Sequence, residues 1–309
     1  MIWLLLFCLA LVIALPVLAE KRRTQIGPDE RQSAPGSFAT LSQGVTHYQW
    51  IGPVRGPVAV CVHGLTTPSF VWTGIAQGLA KLGFRVLVYD LYGRGYSDRP
   101  GGPQNRIFFL RQLEDLLDDQ QVKGDFTLLG YSMGGAISLA YTAAHPDRVR
   151  KLILLASAGT GISAGGLANF VIRTPVIGDW MMLASFPRTH RQATERERGL
   201  TGSTSGIVDL QQAELKTRGF IPGVLASLRG LLSEDLKPAM KTIHQAGIPV
   251  LAIWARKDGV ISPAAVGILS EHCRSVQHET VDGAGHGMPY THTAEVLHVI
   301  RRDIERTTI

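Results

Sequence analysis

Cysteine is scarce in this 309-residue chain: three in all, with no CxxC pair and no His/Cys cluster. That scarcity speaks against a disulfide framework and a zinc site. Cys8, Cys61 and Cys273 read as buried or incidental thiols. Charge is sparse too, at 18% of residues, with a net of +6. Part of the excess sits in Lys21-Arg22-Arg23 and Arg301-Arg302. No long basic stripe interleaves with aromatics, so nucleic acid is not an expected partner. A mildly basic margin beside a membrane fits better. No internal repeat is visible. What remains, 45% hydrophobic residues, is enough for a sizeable core and rules against wholesale disorder.

The first nineteen residues, MIWLLLFCLALVIALPVLA, carry no charged side chain. As a helix they cover most of a hydrocarbon core of roughly 30 Å. Two readings compete: a retained anchor, or a signal peptide cut after Ala19. The positive charge follows the apolar run instead of preceding it. This favours an anchor with the domain on the cytoplasmic side; export after cleavage is the alternative. Residues 20–43, rich in Pro, Gly, Ser and Gln, read as a linker.

Near-continuous apolar runs at 58–62, 85–90, 126–130, 152–156 and 249–254 predict strands covered on both faces. Amphipathic helical patterns at 105–121 and after 132 lie between them. This alternation predicts an α/β fold with a doubly wound, mostly parallel sheet. The rhythm breaks over residues 159–247, too long for a loop, which read as a helical cap. The core is then 44–158 and 248–309.

Gly130-Tyr131-Ser132-Met133-Gly134 is G-x-S-x-G, placed between a strand and a helix. That context makes it a nucleophile turn. A serine needs a base oriented by a third group. Asp258 comes directly off the strand at 249–254, and His286 sits among small residues at 283–287. Asp282, in the same loop as His286, reads as a turn residue. Ser132, Asp258 and His286 are thus the expected triad. The backbone N–H groups of Leu65 and Met133 are the expected oxyanion donors. His63 reads as structural. The Asp90–Asp98 segment, DLYGRGYSD, has G-x-G spacing but neither the third glycine nor the helix start of a dinucleotide fingerprint. It reads as a loop pinned by Asp90, Arg94 and Ser97 that braces the nucleophile turn.

Together the His63-Gly64 turn, the D-x-x-G-R-G-x-S loop, Gly130–Gly135, Asp258 and Gly285-His286 resemble the α/β-hydrolase superfamily, in its order and over residues 45–307. The overall look is similar to membrane-anchored monoacylglycerol lipases and carboxylesterases. Ala255 departs from the glycine many relatives carry there. The resemblance implies Ser132 as nucleophile, His286 as base and Asp258 as its orienter, with no cofactor and no metal. Serine at 132, where epoxide hydrolases and haloalkane dehalogenases of this fold use aspartate, implies acyl transfer to water. A small-molecule carboxylic ester is the expected substrate, with lipid-like esters the narrower reading. In that reading the apolar cap residues Phe170–Ile172 and Trp180–Phe186 line an acyl channel, although ordinary cap core explains them equally well. Carbon–carbon hydrolysis or perhydrolysis on the same triad, and a non-catalytic ligand receptor, are the alternatives.

Overall fold

A computed structural model describes residues 1–159 and 165–307. The run at 160–164, within the expected cap of 159–247, lies outside the described residues. In chain order, helix α1 (Ile2–Lys21) and the short α2 (Pro28–Arg31) precede strands β1 (Ser37–Leu41), β2 (Gly44–Ile51) and β3 (Val58–Val62). Then follow α3 (Thr73–Lys81), β4 (Arg85–Tyr89), α4 (Arg106–Asp119), β5 (Phe126–Tyr131), α5 (Met133–Ala144) and β6 (Val149–Leu155). A helical stretch comes next: α6 (Gly166–Arg173), α7 (Ile177–Glu195), α8 (Ile207–Ala213), α9 (Phe220–Arg229) and α10 (Lys237–Gln245). Strand β7 (Val250–Ala255), α11 (Ala264–His272), β8 (Gln277–Val281), α12 (Met288–Thr291) and α13 (Thr293–Thr307) complete the chain.

The eight strands form one sheet in the order β1-β2-β4-β3-β5-β6-β7-β8. The β1–β2 and β2–β4 pairings are antiparallel and the others parallel, so β2 alone runs against the rest. The sequence explains why. Alternate residues of a strand face opposite sides, and in β3 Val60 and Val62 join one buried cluster while Ala59 and Cys61 join the other. In β5 Leu128 and Leu129 divide in the same way. Both faces are apolar, so helices must cover both, and parallel crossovers supply them. Asn105 caps α4 by accepting the Phe108 N–H at 3.0 Å.

Two boundaries differ from the sequence reading. Residues 20–43 are not a free linker. They include α2 and β1, which pairs with β2 from Ser37↔Tyr48 to Leu41↔Gly44. As an edge strand β1 buries only Ala39, so its apolar signal is weak. At the other end, α10 does not belong to the cap. Its Ala239, Met240 and Ile243 lie in the same buried cluster as Ile137 and Ala140 of α5. A helix that packs on the nucleophile helix is part of the sheet's helical layer. The cap proper is α6 to α9, with its own small core of Met182, Leu215, Phe220, Ile221, Val224 and Leu225.

Candidate active site

Ser132 sits between β5 and α5 with φ 53° and ψ −119°. A non-glycine residue at positive φ is strained, and such strain persists only where the surroundings enforce it. Here they do. The Ser132 N–H donates to Leu155 O at 3.0 Å, while Ser132 O accepts from Gly135 N and Ala158 N, each at 2.9 Å. The turn also needs room. A Cβ on Gly134 would meet Val62 O at 2.0 Å, and one on Gly130 would meet Gly134 O at 2.5 Å. Any side chain at either position would push the serine out of line.

Three chain segments meet at this serine. His286 Nε2 lies 3.0 Å from Ser132 Oγ. On the far side of the ring, His286 Nδ1 lies 2.9 Å from Asp258 Oδ2. Asp258 follows β7, and its other oxygen accepts the N–H groups of Val260 at 2.7 Å and Ile261 at 2.9 Å. Burial alone would raise the Asp258 carboxyl. The hydrogen bond and charge of His286, with those two N–H donors, outweigh it and hold the carboxyl below its ordinary value. Tyr131 steadies the loop that carries the histidine, donating its O–H to His286 O at 3.1 Å. Asp282 points elsewhere and pairs with Arg256 at 2.6 Å on the surface.

Leu65 lines the same cavity as Ser132. Met133 opens α5, so its N–H has no partner within the helix. Behind Leu65 stands a buried framework. His63 Nδ1 donates to Gly64 O at 2.8 Å, and its Nε2 accepts the Leu91 N–H at 2.9 Å. Arg94 is fully buried and donates to Leu65 O at 3.0 Å, Gln104 Oε1 at 2.6 Å and Ser227 Oγ at 2.7 Å. Asp90 accepts from Ser69 N at 2.9 Å, Tyr96 N at 3.0 Å and His47 Nδ1 at 2.7 Å. The 90–98 loop is tied by Asp90, Arg94 and Ser97, and it meets the nucleophile turn through the His63–Leu65 turn that packs against Ser132 and Gly134. Its arginine reaches the turn at Leu65 and the cap helix α9, because a guanidinium presents its donors in a wide fork.

The cavity over Ser132 measures about 390 Å³. Its apolar wall comes from Leu65, Ala158, Leu228, Leu232 and Ile261. The residues expected to form an acyl channel, Phe170–Ile172 and Trp180–Phe186, do not line it. Met182, Leu183 and Phe186 turn instead into the small cap core, and Phe170 is exposed. The apolar stripe of α7 serves the cap's own packing, whereas α6 adds only Val171 to it. Lining residues that sequence reasoning missed are Thr67, His190, Glu197, Gln211 and Tyr290. Four of these are polar side chains without a motif, and Tyr290's place four residues past His286 was the only available hint. Among the described residues no group of His, Cys, Asp and Glu could hold a metal ion.

This arrangement is that of a known family. A model of the alpha/beta hydrolase fold matches residues 57–293, and the chain belongs to that family. It is 26% identical over 239 residues to "Lipase 1" of Psychrobacter immobilis, covering 76% of this chain and 73% of that one. It is 26% identical over 260 residues to the pimeloyl-[acyl-carrier protein] methyl ester esterase of Aeromonas hydrophila, covering 80% and 94%. Among solved structures, the enol-lactonase from Burkholderia xenovorans LB400 superposes with a TM-score of 0.69 at 23% identity, covering 87% of this chain and all (100%) of that one.

Proposed function

We propose that this protein is a serine hydrolase of small-molecule carboxylic esters that works through an acyl-enzyme on Ser132. The observation that carries the reading is the unbroken hydrogen-bonded line from Ser132 Oγ to His286 at 3.0 Å and from His286 to Asp258 at 2.9 Å. His286 Nε2 takes the serine proton as Oγ attacks the ester carbonyl. Asp258, held ionised, keeps the ring in the right tautomer and offsets its charge. The Leu65 and Met133 N–H groups receive the oxyanion. His286 then returns the proton to the leaving alcohol, and water releases the acid by the same steps in reverse. The relatives' printed activities, lipase and methyl ester esterase, support this chemistry.

Fluorophosphonate labelling with mass-spectrometric mapping tests it. The adduct is expected on Ser132 and absent from Ser132→Ala. Ester turnover in that variant should fall by roughly 10⁴-fold or more. A folded wild-type protein that neither labels nor cleaves a small ester would overturn the reading.

The N-terminal segment belongs to the same proposal. α1 is long and apolar enough, by length and composition, to cross a membrane, and Lys21, Arg22 and Arg23 end it or follow at once. The charge placement supports a retained anchor with the domain on the cytoplasmic side. Contacts between α1 and the cap, argued below, support retention as well.

A further inference from the structure

The wall of the Ser132 cavity is of two kinds, and only the apolar kind is explained by an acyl chain. The other is a hydrogen-bonded chain of four polar side chains drawn from four separate segments. Tyr290 of α12 donates its O–H to Glu197 Oε2 at 2.6 Å. With that proton committed, the Tyr290 oxygen can only accept. This turns the amide NH₂ of Gln211, on α8, towards it at 3.5 Å and towards Thr67 Oγ1 at 3.1 Å. The amide carbonyl is then left over: Gln211 Oε1 is buried without a partner, in a side chain only 4% exposed.

The remaining valences are lopsided. The spare acceptors are Gln211 Oε1 and the second oxygen of Glu197, and the Thr67 hydroxyl, which accepts from Gln211, still has its proton to give. Glu197 is a half-buried carboxylate with no Lys or Arg partner among the described residues. Its neighbour Arg198 pairs with Glu195 and Asp209 instead. A cluster that served only to hold the fold would close its own hydrogen bonds, because each open one in a buried site is destabilising.

We propose that Thr67, Glu197, Gln211 and Tyr290 form a subsite for a hydroxyl group carried by the ester substrate, on either its alcohol or its acyl part. A hydroxyl both donates, to Glu197 or Gln211, and accepts, from Thr67. The uncompensated carboxylate turns away a carboxylate or phosphate at the same place. The inference rests on the ester-hydrolase reading and adds to it the class of ester: hydroxylated and uncharged at this end. The apolar half of the cavity takes the remaining chain.

Matched esters test it with the full-length protein. On the alcohol side, 2-hydroxyethyl butanoate is compared with propyl butanoate. On the acyl side, methyl 6-hydroxyhexanoate is compared with methyl heptanoate. Carboxymethyl butanoate supplies the anionic case. In at least one pair the hydroxylated ester should have a kcat/KM roughly tenfold higher, as one net hydrogen bond provides, and the pair that shows it tells which part carries the group. The anion should be the poorest. In Glu197→Gln, which keeps the shape, and in Gln211→Met, the ratio should collapse towards one, and Glu197→Gln should improve the anion relative to propyl butanoate. Should Gln211→Met fail to fold, Glu197→Gln alone decides. Turnover of the plain esters with no hydroxyl preference, or a preference that survives both variants, overturns the subsite and leaves the hydrolase reading standing. No turnover of any ester, with Ser132 unlabelled, overturns both.

Discussion

A trans peptide holds its C=O and N–H on opposite sides of one rigid plane, so whatever grips one end aims the other. His63 uses this. By donating from Nδ1 to Gly64 O at 2.8 Å it fixes the plane whose other end is the Leu65 N–H. The Leu91 N–H, bound at Nε2, holds the ring in turn. That bond requires a neutral ring, and burial provides one by pushing the His63 pKa down to about 4. His63 touches no reacting atom on this account. It positions the oxyanion donor. Removing the grip should therefore injure the step in which negative charge develops more than the binding of the ester. His63→Ala is expected to lower kcat by roughly 10–100-fold, less than the loss of a whole oxyanion donor, while KM changes far less. Steady-state kinetics on a simple ester, with circular dichroism to confirm folding, checks it. A fall confined to KM would sink the idea.

At the scale of elements, the cap and the sheet are joined by buried polar contacts as well as by apolar ones such as Leu65 and Leu228. Arg94 spans from Leu65 to Ser227 of α9. Glu214, just past α8, accepts the Gly95 N–H at 2.9 Å. Burial raises the Glu214 carboxyl to about 7, against the pull of Arg99, the Gly95 N–H and Arg94. Unfolded, this group ionises near 4.5. Between those values the unfolded chain releases a proton that the folded chain keeps, so stability falls as pH rises. The contribution is complete below about 4.5 and lost by about 7. Melting temperatures from pH 5 to 8 should decline more steeply in wild type than in Glu214→Gln, and equal slopes would contradict the assignment. These contacts also mark what sequence could tell. The parallel strands were legible because burial on both faces leaves continuous apolar runs. Ser132, Asp258 and His286 were legible as candidates because turn chemistry and strand ends flank them. β1 was not, since an edge strand buries one residue in five. Nor were Glu197 and Gln211, which reach the cavity only through the packing of cap helices whose partners no local pattern names. The apolar residues of α6 and α7 misled for the same reason: periodicity gives a face, not what it faces.

For the whole molecule the question is whether α1 stays. Its twenty residues extend roughly 30 Å at helical rise, and their apolar side chains are exposed along most of the length. A signal peptide has no reason to be tied to the mature fold, but this helix is tied at both its middle and its end. Trp180 of α7 donates its indole N–H to Ile13 O at 3.1 Å. Glu20 accepts the Gly219 N–H at 2.6 Å and pairs with Arg23. Beyond it Thr24 bridges the cap in both directions, donating to Lys216 O at 3.0 Å and accepting from Arg218 N at 2.8 Å. Cleavage after Ala19 would leave a new ammonium on Glu20 itself, beside the carboxylate that caps Gly219. Retained as an anchor, α1 would also set the depth of the cap. Ile13 lies roughly 12 Å along the helix from Lys21, so its bond to Trp180 would carry the N-terminal part of α7 below the polar end of the span. Phe170 of α6, Ile177 of α7 and Val176 between them are exposed. Expressed from the full sequence, the protein should keep its N-terminal segment, with an intact mass near 33.5 kDa, and stay in the membrane fraction through a high-salt wash and alkaline carbonate. Deleting residues 2–19 should release it and lower its melting temperature, because the cap loses the helix packed on α7. A mature chain that starts at Glu20 and remains soluble would show instead that the segment is a signal, and would make the α1–cap contacts a feature of the precursor alone.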